Sequence, residues 1–145
     1  MIFLQVELLK DLPLPQALLE RAAQETLEFA QSGKQGDLSI VLTGDEALQR
    51  LNHEFMGIDA PTDVLSFPAD FIDPDTSQPY LGDVIISIPR AKAQAFENGQ
   101  SVQDEVLLLV VHGVLHLLGY DHALPEEKEQ MWAAQAAVLS RLPRS

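Results

Sequence analysis

The chain has 145 residues and no cysteine, which excludes both a disulfide framework and a thiolate metal site, so any metal must rest on imidazole and carboxylate. A formal net charge of -13, from 22 acidic against 9 basic residues, argues against wide contact with a polyanion, because nucleic-acid binders gain affinity from many Lys and Arg contacts to phosphate. No apolar run approaches the roughly 20 residues that span a bilayer, and the length suits one domain, expected over residues 1–145.

The N-terminal stretch Met1-Ile2-Phe3-Leu4-Gln5-Val6-Glu7-Leu8 lacks a positive leader and a small-residue cleavage site, which points to a cytoplasmic protein. Its alternation predicts a strand over residues 2–8. Pro15 fits the first turn of a helix running to about Gln31, with Leu18, Leu19, Ala22, Ala23 and Leu27 on its apolar side and Ser32-Gly33 as its end. Residues 38–42 read as a second strand, and Thr43 with Glu46 forms a capping-box pattern for a short helix to about Phe55, stopped at Gly57.

Residues 63–67 and 84–88 are two more strand-like runs, separated by an acidic segment over 68–80 that reads as a loop. From Pro89 onward the pattern is helical: to about Asn98, then Val102 to Leu118 with Ser101 and Asp104 as a cap, then Pro125 to Leu142. Strands early and helices late predict an α/β or α+β fold, a small mixed sheet of four strands packed with helices, the strand order left open.

Three of the four histidines lie in His112-Gly113-Val114-Leu115-His116-Leu117-Leu118-Gly119-Tyr120-Asp121-His122. On a helix, positions i and i+4 stack one turn apart, so His112 and His116 can share one ion. Gly119 falls where the helix should end and can take a left-handed conformation that returns His122 toward them. Three imidazoles leave the fourth position of a tetrahedral zinc open, the pattern of a catalytic site rather than a structural one. A zinc-dependent hydrolase is the natural expectation.

The simpler reading, buried histidines with hydrogen-bond partners, is weakened by the cost of placing several polar rings among Leu and Val. The spacing is also that of metzincin proteases, which carry a Glu base after the first His, where this chain has Gly113. Glu105, two turns before His112 on nearly the same face, and Asp121, beside His122, are the weak candidates for a catalytic carboxylate. Their plainer readings are a solvated first-turn Glu and a turn cap. His53, without a partner at ligand spacing, falls outside the site.

The run Leu108 to His122 resembles the signature of the YbeY family, bacterial zinc-dependent endoribonucleases of ribosomal RNA maturation. The segments Leu51-Asn52 through Asp59-Ala60-Pro61-Thr62-Asp63-Val64-Leu65-Ser66-Phe67-Pro68, and Gly82-Asp83-Val84-Ile85-Ile86-Ser87, resemble it in the same order. The resemblance implies that His112, His116 and His122 are zinc ligands and that the substrate is single-stranded RNA, notably the 3′ end of small-subunit ribosomal RNA, with ribosome-assembly proteins as partners.

One departure stands out, because the family segment usually places Arg after its aromatic residue and Phe55-Met56-Gly57 places Met56 there. Arg can hold a phosphate by paired hydrogen bonds and methionine cannot. Arg50, Arg90 and Lys92 are among the cations left to track an RNA backbone. Two alternatives follow: a zinc-stabilised ribosome-biogenesis binding protein with little or no nuclease activity, and a metallopeptidase.

Overall fold

A computed structural model describes residues 1–7, 14–30 and 36–143. Among them are four strands, β1 (Ile2–Val6), β2 (Asp37–Thr43), β3 (Val64–Ile72) and β4 (Pro79–Ser87), and five helices. The helices are α1 (Gln16–Ala30), α2 (Asp45–Met56), α3 (Ile88–Glu97), α4 (Val102–Leu117) and α5 (Pro125–Leu139). The mixed α/β expectation holds. The sheet runs β1-β2-β4-β3, with β1, β2 and β4 parallel and β3 antiparallel to β4 at the edge.

Period-two burial sets the sheet's core face: Leu38, Ile40 and Leu42 of β2 stand in register with Gly82, Val84 and Ile86 of β4, and all three apolar β2 residues are fully buried with Val84 and Ile86. Against them lies α4, apolar nearly all round, as a helix enclosed by protein on most sides must be. It packs on β3 and β4 and touches α1, α3 and α5. The internal residues of α4 that escape full burial are Leu108, His112 and His116, one per turn, and the two histidines of this stripe line the cleft described below.

Gly113 sets how closely α4 meets the sheet. A Cβ there would stand 2.4 Å from Cγ1 of Val84 and 3.3 Å from Oγ of Ser66. The Ser66 hydroxyl donates to the Gly113 carbonyl at 2.9 Å, fastening the helix to β3.

Two sequence expectations are corrected. Thr43 does not cap α2: it remains in β2, Gly44 is the N-cap without a side-chain bond, and the Thr43 hydroxyl faces Glu7 instead. Residues 68–80 are mostly strand rather than loop, since β3 continues to Ile72 and β4 starts at Pro79. A register shift falls between Pro68 and Phe71, and Phe71 stacks on Tyr80 at 5.2 Å to hold the hairpin beyond the core. Ser101 caps α4 as expected, accepting from the Asp104 N–H at 3.1 Å. Leu8, Gln31 and Ser32-Gly33, expected at the ends of β1 and α1, lie outside the described residues.

Candidate metal centre and cleft

The α4 helix delivers His112 and His116 to one side, one turn apart, with ring centroids 4.7 Å apart. Leu118 closes the helix and Gly119 takes φ of 100°, a value costly for any residue with a Cβ. The Gly119 N–H donates to the His116 carbonyl at 3.1 Å and the Tyr120 N–H to that of Leu115 at 3.0 Å, the bond pair of a Schellman cap. The reversal brings the His122 ring to 5.0 Å from His116 and 5.5 Å from His112.

One nitrogen from each of the three rings lies within 4.8 Å of the others, a group that can hold a metal ion. His53 stands exposed on α2, apart from this group.

The state of the rings suits a group that can hold a metal. Burial, first among the causes, holds the pKa of both His112 and His116 below the ordinary imidazole value, and the neighbouring histidines act in the same direction. Neutral rings keep a lone pair for a metal. Nδ1 of His112 lies 2.6 Å from Oε1 of the buried Gln135 on α5. An amide oxygen only accepts, so Nδ1 carries the proton and Nε2 is left to coordinate.

Asp121 is the other carboxylate that the sequence offers, as a weak catalytic candidate or a turn cap. Its Oδ1 accepts from the backbone N–H of His122 at 2.7 Å, in keeping with the turn-cap reading.

Glu105 departs from the solvated first-turn reading. It is 3 % exposed, receives a hydrogen bond from Gln100, and its pKa is raised chiefly by burial, with Asp63 adding to the shift. It does not line the cleft beside the histidines. That cleft, of about 420 Å³, is formed by His112, His116 and His122 on one side and by Met56 and residues 62–66 and 68 on the other.

Sequence reasoning missed Asp63 as a cleft residue. Its Oδ1 accepts from the Val64 N–H at 2.8 Å, and its charge raises the pKa of His112 against the effect of burial, so it favours a cation in the cleft. Strand pairing places it there, and no local spacing in the sequence announces it.

Met56 does line the cleft, 48 % exposed, so the departure noted in the sequence falls at the site. Of the nominated cations, Arg90 pairs with Asp45 at 3.4 Å, while Arg50 and Lys92 are exposed on α2 and α3. None of the three lines the cleft.

The model of the family described as endoribonuclease YbeY matches residues 9–143. The chain belongs to the endoribonuclease YbeY family. The endoribonuclease YbeY of Pelotomaculum thermopropionicum is 46 % identical over 128 residues, covering 86 % of this chain and 84 % of the relative. That of Chloroflexus aggregans is 45 % identical over 138 residues, covering 91 % and 90 %. Among solved structures, the solution structure of a Thermotoga maritima protein aligns with a TM-score of 0.62 at 27 % identity, covering 97 % of this chain and 87 % of the other.

Within the YbeY frame, the glycine at the metzincin Glu position has a steric reason. A side chain at 113 would run into Val84 on β4, so α4 can lie this close to the sheet only without one. Among the described helices none is long and apolar enough to cross a membrane.

Proposed function

We propose that this chain is a zinc-dependent endoribonuclease that cuts single-stranded RNA in the cytoplasm, in maturation of the 3′ end of small-subunit ribosomal RNA alongside ribosome-assembly proteins. His112, His116 and His122 are the metal ligands. The observation that carries the reading is the convergence of three imidazole nitrogens within 4.8 Å beside an open cleft, in a chain of the endoribonuclease YbeY family.

The donor set fits the ion: three neutral imidazoles and no thiolate suit zinc, and leave one coordination position for chemistry. When bound, zinc supplies a Lewis acid for a phosphoryl oxygen and lowers the pKa of water to about 7. The chain's own residues do the positioning. Gln135 holds the proton of His112 on Nδ1, the Schellman cap at Gly119 holds His122 in place, and the Ser66 to Gly113 bond keeps the β3 wall at a fixed distance from α4. Asp63 lends negative potential that retains the cation.

With one equivalent of zinc the protein is expected to cut single-stranded RNA and to spare duplex. His116→Ala should lose both zinc retention and cutting; a variant that cuts as well as the parent contradicts the assignment.

A second reading, a ribosome-biogenesis binding protein with faded nuclease activity, is favoured by one observation, Met56 in the cleft wall. Met56→Arg separates the two. A large gain in cutting from a nearly inactive parent supports the second reading, and an active parent that gains nothing removes it.

A further inference from the structure

Beside His112 and His122, next to the residues that line the cleft, lies an indole. Trp132, the chain's single tryptophan, sits on α5 with 44 % of its surface exposed, although Met131 and Gln135 beside it are buried. Its ring centroid lies 6.0 Å from that of His112 and 5.7 Å from that of His122, crossing them at 82° and 77°. One turn earlier on the same helix, Nζ of Lys128 stands 5.5 Å from the indole centroid.

A part-exposed indole beside the three histidines, with a lysine ammonium on a flexible stem resting over its ring, selects an occupant with both a π face and a negative charge. An apolar peptide side chain offers nothing to the ammonium. A nucleotide offers a base to the ring and a phosphate to the lysine. The charge of the chain strengthens the case. At -13, with Arg90 paired to Asp45 and Arg141 to Glu25, binding through a long row of phosphate contacts is poorly supported, whereas stacking needs few cations.

We propose that Trp132 and Lys128 form a nucleotide subsite beside the histidines, in which the ammonium swings off the indole to meet a phosphate and an unpaired RNA base takes its place on the ring. The subsite deepens the endoribonuclease reading and rests on it. It also gives a physical reason for preferring single strands, because the faces of bases inside a duplex are covered by their neighbours.

The test uses the zinc-loaded protein and two end-labelled probes of equal length and charge, an oligoadenylate and an abasic ribose-phosphate chain, both with phosphorothioate linkages to slow cutting. Binding is followed by anisotropy and by emission of Trp132. The oligoadenylate should quench the emission and bind roughly tenfold or more tightly than the abasic chain. Trp132→Ala should erase that difference and Trp132→Phe should restore part of it, with unchanged far-ultraviolet circular dichroism. Lys128→Ala should weaken both probes alike and lower the salt slope by about one.

Equal binding of the two probes by the parent protein overturns the subsite. So does a base preference that survives Trp132→Ala, and its loss in Phe55→Ala would move the stacking to that residue, 60 % exposed on α2. Cleavage of unmodified single-stranded RNA is measured in parallel. A protein that cuts RNA but shows no base preference loses only the subsite, and one that neither binds nor cuts loses the endoribonuclease reading with it.

Discussion

The two walls of the histidine cleft are built from different kinds of information. The helical wall is local: α4, the turn at Gly119 and α5 bring His112, His116, His122 and Gln135 together within one stretch of chain. The opposite wall, Met56 of α2 with residues 62–66 and 68, reaches the histidines only through the sheet and a Ser66 to Gly113 bond that spans 47 positions. The convergence of the three imidazoles thus depends on helix periodicity and one glycine cap, while the shape of the cleft in front of them depends on the tertiary fold. Variants can separate the two.

The largest effect is expected where the walls meet. Gly113→Ala should cost about 1–3 kcal/mol by denaturant unfolding, because its Cβ would press into Val84 on a well-packed strand. Gly113→Glu, which adds an enclosed charge, should not fold. If it folds and gains peptidase activity, the close packing of α4 on the sheet is not what excludes a base at that position.

Next comes an effect confined to the helical wall. Gln135→Leu should leave the fold intact but weaken zinc binding by about ten- to a hundredfold in a chelator competition, since His112 loses the partner that fixes its tautomer. Unchanged affinity would mean that Gln135 only fills space.

On the other wall, Ser66→Ala should lower stability by about 1 kcal/mol, seen as a shifted denaturant midpoint with an unchanged slope, and should leave zinc affinity untouched. A change in zinc affinity would show that the walls are coupled.

The smallest effect concerns Glu105. Its pKa lies above the ordinary 4.5 because burial disfavours the carboxylate, so the folded state holds its proton more tightly than the unfolded chain. The stability from this proton is fully present below pH 4.5 and is lost as pH rises through the folded value. Glu105→Gln, neutral throughout, should therefore be more stable than the parent at pH 7 and should lose that advantage below pH 4.5, as read from thermal midpoints across pH.

The same division explains what the sequence disclosed. The i, i+4 histidines, Gly119, the Ser101 cap and most of each helix were legible because they depend on neighbours in the chain. The Thr43 and Glu46 pattern misled because sheet pairing kept Thr43 in β2, a tertiary effect that outweighs a local cap signal. The acidic, proline-bearing stretch over 68–80 looked like a loop because its strand character comes from the partner strand and the Phe71 to Tyr80 stack, not from its own composition. The burial of Glu105, the bond that Gln135 accepts from His112 and the entry of Asp63 into the cleft each require knowing how α4 packs against its neighbours, which no local spacing encodes.

The central claim is that three imidazoles hold one zinc and leave it open to substrate. X-ray absorption on the purified, zinc-replete protein tests this directly. The predicted result is one zinc per chain with three nitrogen neighbours from imidazole at about 2.0–2.1 Å, one further light ligand, and loss of the bound ion in His116→Ala. A zinc closed by four protein ligands, or one retained undiminished in His116→Ala, would contradict it.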